Sequence, residues 1–125
     1  MPCASPDLVL DLPATPAAPS LARQAVERLP LLPEQLPTVT LLASELVTNA
    51  VRHADTDRPI RLEARVRDRR LRLCVTDEGQ GFSAPANPRP AGEEGGYGLF
   101  LVERLACDWG VVGRTVWFEL RGAVR

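Results

Sequence analysis

The sequence predicts an α+β fold: a two-layer sandwich with a mixed, mostly antiparallel sheet and helices on one of its faces. Two segments, Leu21–Leu29 and Thr38–Ala54, repeat apolar residues at helical spacing. Between Ile60 and Val75, apolar and polar residues alternate on either side of a short polar turn, the pattern of a β-hairpin. Read along the chain, the order is β-α-α-β-β-α-β-β, in which strands follow one another in hairpins and helices stand apart from them. A chain of 125 residues fits a single domain over 1–125 with one core, residues 1–6 being a candidate disordered terminus.

Leu8, Val9, Leu10 and Leu12 form the first expected strand, closed by Pro13. Residues 13–19 are rich in Pro and Ala and read as a loop running into a helix start near Pro19 or Ser20. Leu21, Ala25, Val26 and Leu29 then recur at helical spacing until Pro30, and Leu31–Pro37 reads as a connector. In the long second helix, Leu42, Leu46, Ala50 and Ala54 make an apolar stripe widened by Val39, Val47 and Val51. In the hairpin, Ile60, Leu62, Ala64 and Val66 alternate with Arg61, Glu63, Arg65 and Arg67. After the turn at Asp68-Arg69-Arg70, Leu71, Leu73 and Val75 alternate with Arg72, Cys74 and Thr76, so one face is packed and the other wet. Residues 83–97 have no periodicity and suit a functional loop. Leu99, Leu101, Val102 and Leu105 mark a third helix with Gly98 at its start, and Val111–Val112 and Val116–Leu120 two short strands around Gly113-Arg114.

Composition removes several classes of function. The formal net charge is -1, whereas phosphate-backbone binding needs a basic face, so nucleic acid is not expected as the main partner. All 15 cationic side chains are Arg, which leaves no Lys for a P-loop or a Schiff base. Cys3, Cys74 and Cys107 lack the spacing of a zinc or C-x-x-C redox motif and read as reduced thiols. No apolar run is long enough for a membrane span and the first residues lack signal-peptide character, so the expected compartment is the cytoplasm.

Three features carry chemistry. Strand alternation puts Asp77 on the core face with Leu71, Leu73 and Val75, and Gly79 and Gly81 follow closely. A carboxylate there either ends the strand as a turn residue or stands as a buried acceptor for a ligand donor, such as the exocyclic amine of adenine. Glu45, Asn49 and His53 form one polar stripe, bordered by Arg52, on a helix that is otherwise apolar. The stripe is either a solvated face or, since Asn is a weak helix former at mid-helix, a neutral oxygen ligand beside a carboxylate, suited to Mg²⁺. Gly95-Gly96-Tyr97-Gly98-Leu99 opens the third helix, either as a hinge or as exposed N–H groups facing phosphate.

Taken together, these motifs resemble the GHKL ATPase superfamily of gyrase, heat-shock chaperones, histidine kinases and MutL-type proteins. Glu45-Leu-Val-Thr-Asn49-Ala-Val-Arg-His53-Ala is similar to its N box, and Asp77-Glu-Gly79-Gln-Gly81-Phe to its first glycine box. Gly95-Gly-Tyr-Gly98-Leu resembles its second, and Gly113-Arg-Thr115-Val-Trp-Phe its closing strand. The N box and the strand–helix with Arg23 before it most resemble the small bacterial anti-sigma factor serine/threonine kinases. The resemblance implies a Bergerat-type fold that binds ATP and Mg²⁺, with residues 83–97 as a lid. It implies Asn49 as the Mg²⁺ ligand, Glu45 as the general base, and Asp77 on the adenine amine with Thr115 assisting. Gly79 and Gly81 would shape the base pocket, Gly96, Gly98 and Leu99 the phosphate end, with Arg52 and His53 as further nucleotide contacts. The implied partners are a sigma factor and a STAS-like anti-anti-sigma protein, and a homodimer is one assembly it allows. His53 is the sole histidine, so a histidine kinase with a separate phospho-acceptor is not expected. The alternative to a kinase is a non-catalytic switch that binds ATP or ADP to set its conformation.

Overall fold

The computed structural model of the chain describes residues 3–54, 58–77 and 97–124. Its elements run β1 (Leu8–Leu12), α1 (Ala18–Val26), α2 (Leu36–His53), β2 (Ile60–Arg67), β3 (Arg70–Asp77), α3 (Tyr97–Leu105), β4 (Asp108–Val112) and β5 (Thr115–Arg121). This is the expected α+β order. The five strands lie in the order β1-β2-β3-β5-β4, and every pairing is antiparallel, where the sequence suggested a mixed sheet.

Local chemistry explains the element ends. Pro19 and Pro37 sit in the first turns of α1 and α2, where a helix needs no N–H from them. For that reason α2 begins at Leu36, inside the stretch expected to be a connector. It ends where Ala54 turns extended, with Arg52 in the last turn complementing the helix dipole. The β2–β3 turn is Asp68-Arg69 alone, with φ of 52° and 64°; this left-handed pair matches the twist of a two-residue hairpin, and Arg70 already belongs to β3. At the β4–β5 turn Gly113 takes φ 58°, a conformation that glycine adopts without a Cβ penalty.

The register sorts side chains into two faces. Leu62, Val75 and Val116 share a row, as do Ala64, Leu73 and Phe118, and all six are buried. Against this face pack Val39, Leu42, Ala43, Leu46, Val47 and Ala50 of α2. The small buried face of α1, Ala18, Ala22 and Ala25, lets it lie close along α2. Beyond β5, Ala123 and Val124 are buried, and Leu31 bridges Val124, which ties the α1–α2 connector to the end of the sheet. Among the described residues, no helix is long and apolar enough to cross a membrane.

The other face of the sheet is more occupied than a solvated surface would be. Cys74 and Glu119 are buried there. Arg72 donates from Nε to Glu119 Oε2 at 2.9 Å and stacks 4.4 Å from the centre of the Trp117 ring. Trp117 in turn faces Gly110 on β4. Part of this face is crossed by the segment before β1, where Arg65 and Arg67 donate to the carbonyls of Ala4 and Ser5.

Candidate nucleotide site

Two elements that pack against each other, α2 and β3, carry the chemistry. On α2, the buried stripe that faces the sheet leaves Glu45 and Asn49 along its border, each half-buried, one turn apart on one side of the helix. Arg52 and His53 follow in the last turn and are exposed. Arg52 also lines an open depression of about 440 Å³ with Pro16, Pro19, Thr48 and Val51, beside the start of α1. Neither Glu45 nor Asn49 borders that depression.

Asp77 is the last residue of β3 and lies on the core face, opposite Ile60. It is 2% exposed, and its backbone N–H donates to the carbonyl of Arg114 at 3.0 Å. This bond extends the β3–β5 ladder past Thr76–Thr115 and fixes where the carboxylate emerges. Asp77 takes part in a further interaction besides this backbone bond. A buried carboxylate at the end of a strand offers oxygen acceptors and so suits a ligand N–H donor.

Thr115 stands elsewhere. Its hydroxyl shares a 2.8 Å hydrogen bond with that of Thr76, its register partner, and alternation puts Thr76 and Asp77 on opposite faces. The structure therefore brings Glu45, Asn49 and Asp77 to the core side of the sheet and leaves the Thr115 hydroxyl on the other. What sequence reasoning missed is Arg114, whose carbonyl anchors Asp77; only the β3–β5 register, a long-range feature, reveals it. Gly98 and Leu99 lie in the first turn of α3, which packs on α2. Gly79, Gly81, Gly96 and the rest of the expected lid up to residue 96 lie outside the described residues.

Among the described residues there is no group of three or more His, Cys, Asp or Glu side chains able to hold a metal. One amide oxygen beside one carboxylate fits a Mg²⁺ held mainly by phosphates and water.

Residues 12–119 match the family described as the histidine kinase-like ATPase domain. The chain belongs to that family. Within it, the histidine kinase-like ATPase domain of this chain is similar to a serine-protein kinase RsbW of Listeria innocua serovar 6a. The two are 31% identical over 119 residues, covering 81% of this chain and 76% of the relative. A serine-protein kinase RsbW of Oceanobacillus iheyensis is 28% identical over 117 residues, covering 79% of this chain and 74% of the relative. The matched stretch of the ATPase domain contains α2 and β3 whole, and with them Glu45, Asn49 and Asp77.

Proposed function

We propose that this chain is an anti-sigma-factor-like protein serine/threonine kinase, which binds Mg·ATP and phosphorylates a small STAS-like anti-anti-sigma partner. The observation that carries the proposal is the half-buried Glu45 one helical turn before Asn49, in a histidine kinase-like ATPase domain whose relatives are serine-protein kinases. Binding alone calls for a base-recognition group and a metal ligand, the roles of Asp77 and Asn49. Glu45 is surplus to that, and a carboxylate beside the metal ligand suits proton removal.

Each residue has a defined task in this reading. Asp77 accepts the adenine amine, and Asn49 offers its amide oxygen to the cation. Bound Mg²⁺ would neutralise charge on the phosphates. Glu45 takes the proton as the partner's serine oxygen attacks the γ-phosphorus; the bond to the bridging oxygen breaks and ADP carries away the electron pair. In this reading Arg52 and His53, exposed at the end of α2, serve as contacts on the phosphate side. Phosphorylation of the partner would govern which of two proteins, partner or sigma factor, occupies this chain, and through that, transcription in the cytoplasm.

The test is incubation of the purified chain with γ-labelled Mg·ATP and a candidate STAS-like protein. Label is expected on a partner serine or threonine. Glu45→Gln is expected to bind ATP normally and to lose transfer by roughly 10²–10⁴-fold, the usual range for a general base. Nucleotide binding with no transfer to cognate partners would instead establish the non-catalytic switch.

A further inference from the structure

The segment before β1 reaches across the outer face of the sheet and places the side chain of Cys3 there. The Cys3 Sγ donates toward the carbonyl of Arg72 at 3.6 Å and lies 3.9 Å from that of Glu63. Glu63 is the register partner of Cys74, and Arg72 lies two residues before Cys74 on the same face. Cys3 is therefore set directly over Cys74, with the two thiols facing one another. Cys3 is 6% exposed and Cys74 1%. These cysteines are 71 positions apart, so no spacing motif announces them.

We propose that Cys3 and Cys74 form a peroxide-oxidisable thiol pair, which closes to a disulfide tying the segment before β1 to β3. The inference is independent of the nucleotide reading.

The two thiols differ in character. Interaction with the Cys74 thiol holds the Cys3 thiol below the ordinary thiol range, and Arg65 and Arg72 act in the same direction against burial and Glu63. The same interaction, with burial, pushes the Cys74 thiol far up. Cys3 is thus the more acidic of the two thiols, a division that favours its sulfur as the nucleophile. The Cys3 thiolate attacks hydrogen peroxide, breaking the O–O bond and releasing hydroxide, to give a sulfenic acid. Cys74 then gives up its proton. Its sulfur then attacks the sulfenic sulfur and expels the oxygen as water. In sum, two thiols and one peroxide give one disulfide and two waters. Access comes from the covering segment, which Arg65 and Arg67 hold to Ala4 and Ser5 through exposed hydrogen bonds and which can open locally. Cys107 is the internal control, being exposed and bonded through Sγ to the Glu119 carbonyl at 3.0 Å, on the far side of β5 from β3.

The experiment uses the full chain, reduced, freed of reductant, treated with a few equivalents of hydrogen peroxide, and alkylated under denaturing conditions. Peptide mass spectrometry without reductant is expected to show the Cys3 peptide joined to the Cys74 peptide. The joined mass should be two hydrogens below the reduced sum, with dithiothreitol separating the two and Cys107 alkylated. Cross-linking across so long a loop is expected to raise Tm by roughly 5–15 °C, and the rise should vanish in Cys3→Ser. Cys3→Ser alters only the covering segment, so it keeps the test sound should Cys74 variants fail to fold. Alkylation of both Cys3 and Cys74 after peroxide would overturn the proposal. So would sulfinic acid on either without a link, a link through Cys107, or the same Tm rise in Cys3→Ser.

Discussion

In the proposed function, a single carboxylate at the end of β3 reads the base. Asp77 is buried on the core face, where it presents acceptors only, and the exocyclic amine of adenine is a donor. Asp77→Asn replaces one acceptor oxygen by an NH₂ group of the same size. ATP affinity is then expected to fall by roughly 10–100-fold, since a buried hydrogen bond of one to three kcal/mol is lost and a donor faces a donor. Guanine carries a carbonyl at the corresponding position, so GTP should weaken less, and calorimetric titration with both nucleotides checks the ratio. Equal losses for the two would mean that Asp77 does not read the base. Thr115→Val is the contrast: it removes the bond to Thr76 on the opposite face, so stability should drop by about 1 kcal/mol with nucleotide affinity unchanged. A second residue-scale constraint is Gly110, where a Cβ would lie 2.9 Å from Trp117 Nε1. The Trp117 ring is held by the Arg72 guanidinium above it, so it cannot swing away freely. Gly110→Ala is expected to cost roughly 1–3 kcal/mol in urea unfolding, the usual penalty of overpacking.

At the scale of elements, long periodic segments were legible and their ends were not. The stripe on α2 and the alternation in β2 and β3 read directly because each pattern repeats over 8 residues or more. The start of α2 was misread because Pro37 signals a break to a reader who cannot see that it sits in the first turn. Similarly, β4 starts at Asp108 and not at Val111, since Trp109-Gly110 shows no alternation. Gly110 is there to admit the Trp117 ring from β5, a cross-strand cause absent from local sequence. The Asp77 carboxylate was legible through parity alone, whereas the Thr76–Thr115 bond and the Cys3–Cys74 contact depend on register between distant segments. The β2–β3 turn carries its own prediction. Asp68 and Arg69 both adopt positive φ, a conformation that costs an ordinary L-residue about 1 kcal/mol and an Asn-Gly pair little. Changing Asp68 to Asn together with Arg69 to Gly should raise Tm by a few degrees with the strand register unchanged. A fall in Tm would show that side-chain contacts in the turn outweigh backbone strain.

For the whole molecule, the site couples the two layers. Asn49 belongs to the helical layer and Asp77 to the sheet, and the hydrophobic core between α2 and β3 sets their relation. A nucleotide that touched both would bind only the assembled sandwich, so its binding energy adds to folding stability through mass action. With Mg·ATP at about a hundred times its Kd, the gain is about 2.7 kcal/mol, or roughly 10 °C in Tm for a domain of this size. The layers can be separated by mutation. Asp77→Asn should shrink the ATP-induced shift whether or not Mg²⁺ is present, because it acts on the base. Asn49→Ala should shrink the shift only when Mg²⁺ is present and leave the smaller metal-free shift as it was. Thermal unfolding of the three proteins, each with and without ATP and Mg²⁺, gives the full comparison. If Asn49→Ala reduced the metal-free shift as much as the metal-dependent one, Asn49 would act by shaping the pocket and not by holding the cation. If neither variant changed any shift, the nucleotide would have to bind away from the α2–β3 layer contact.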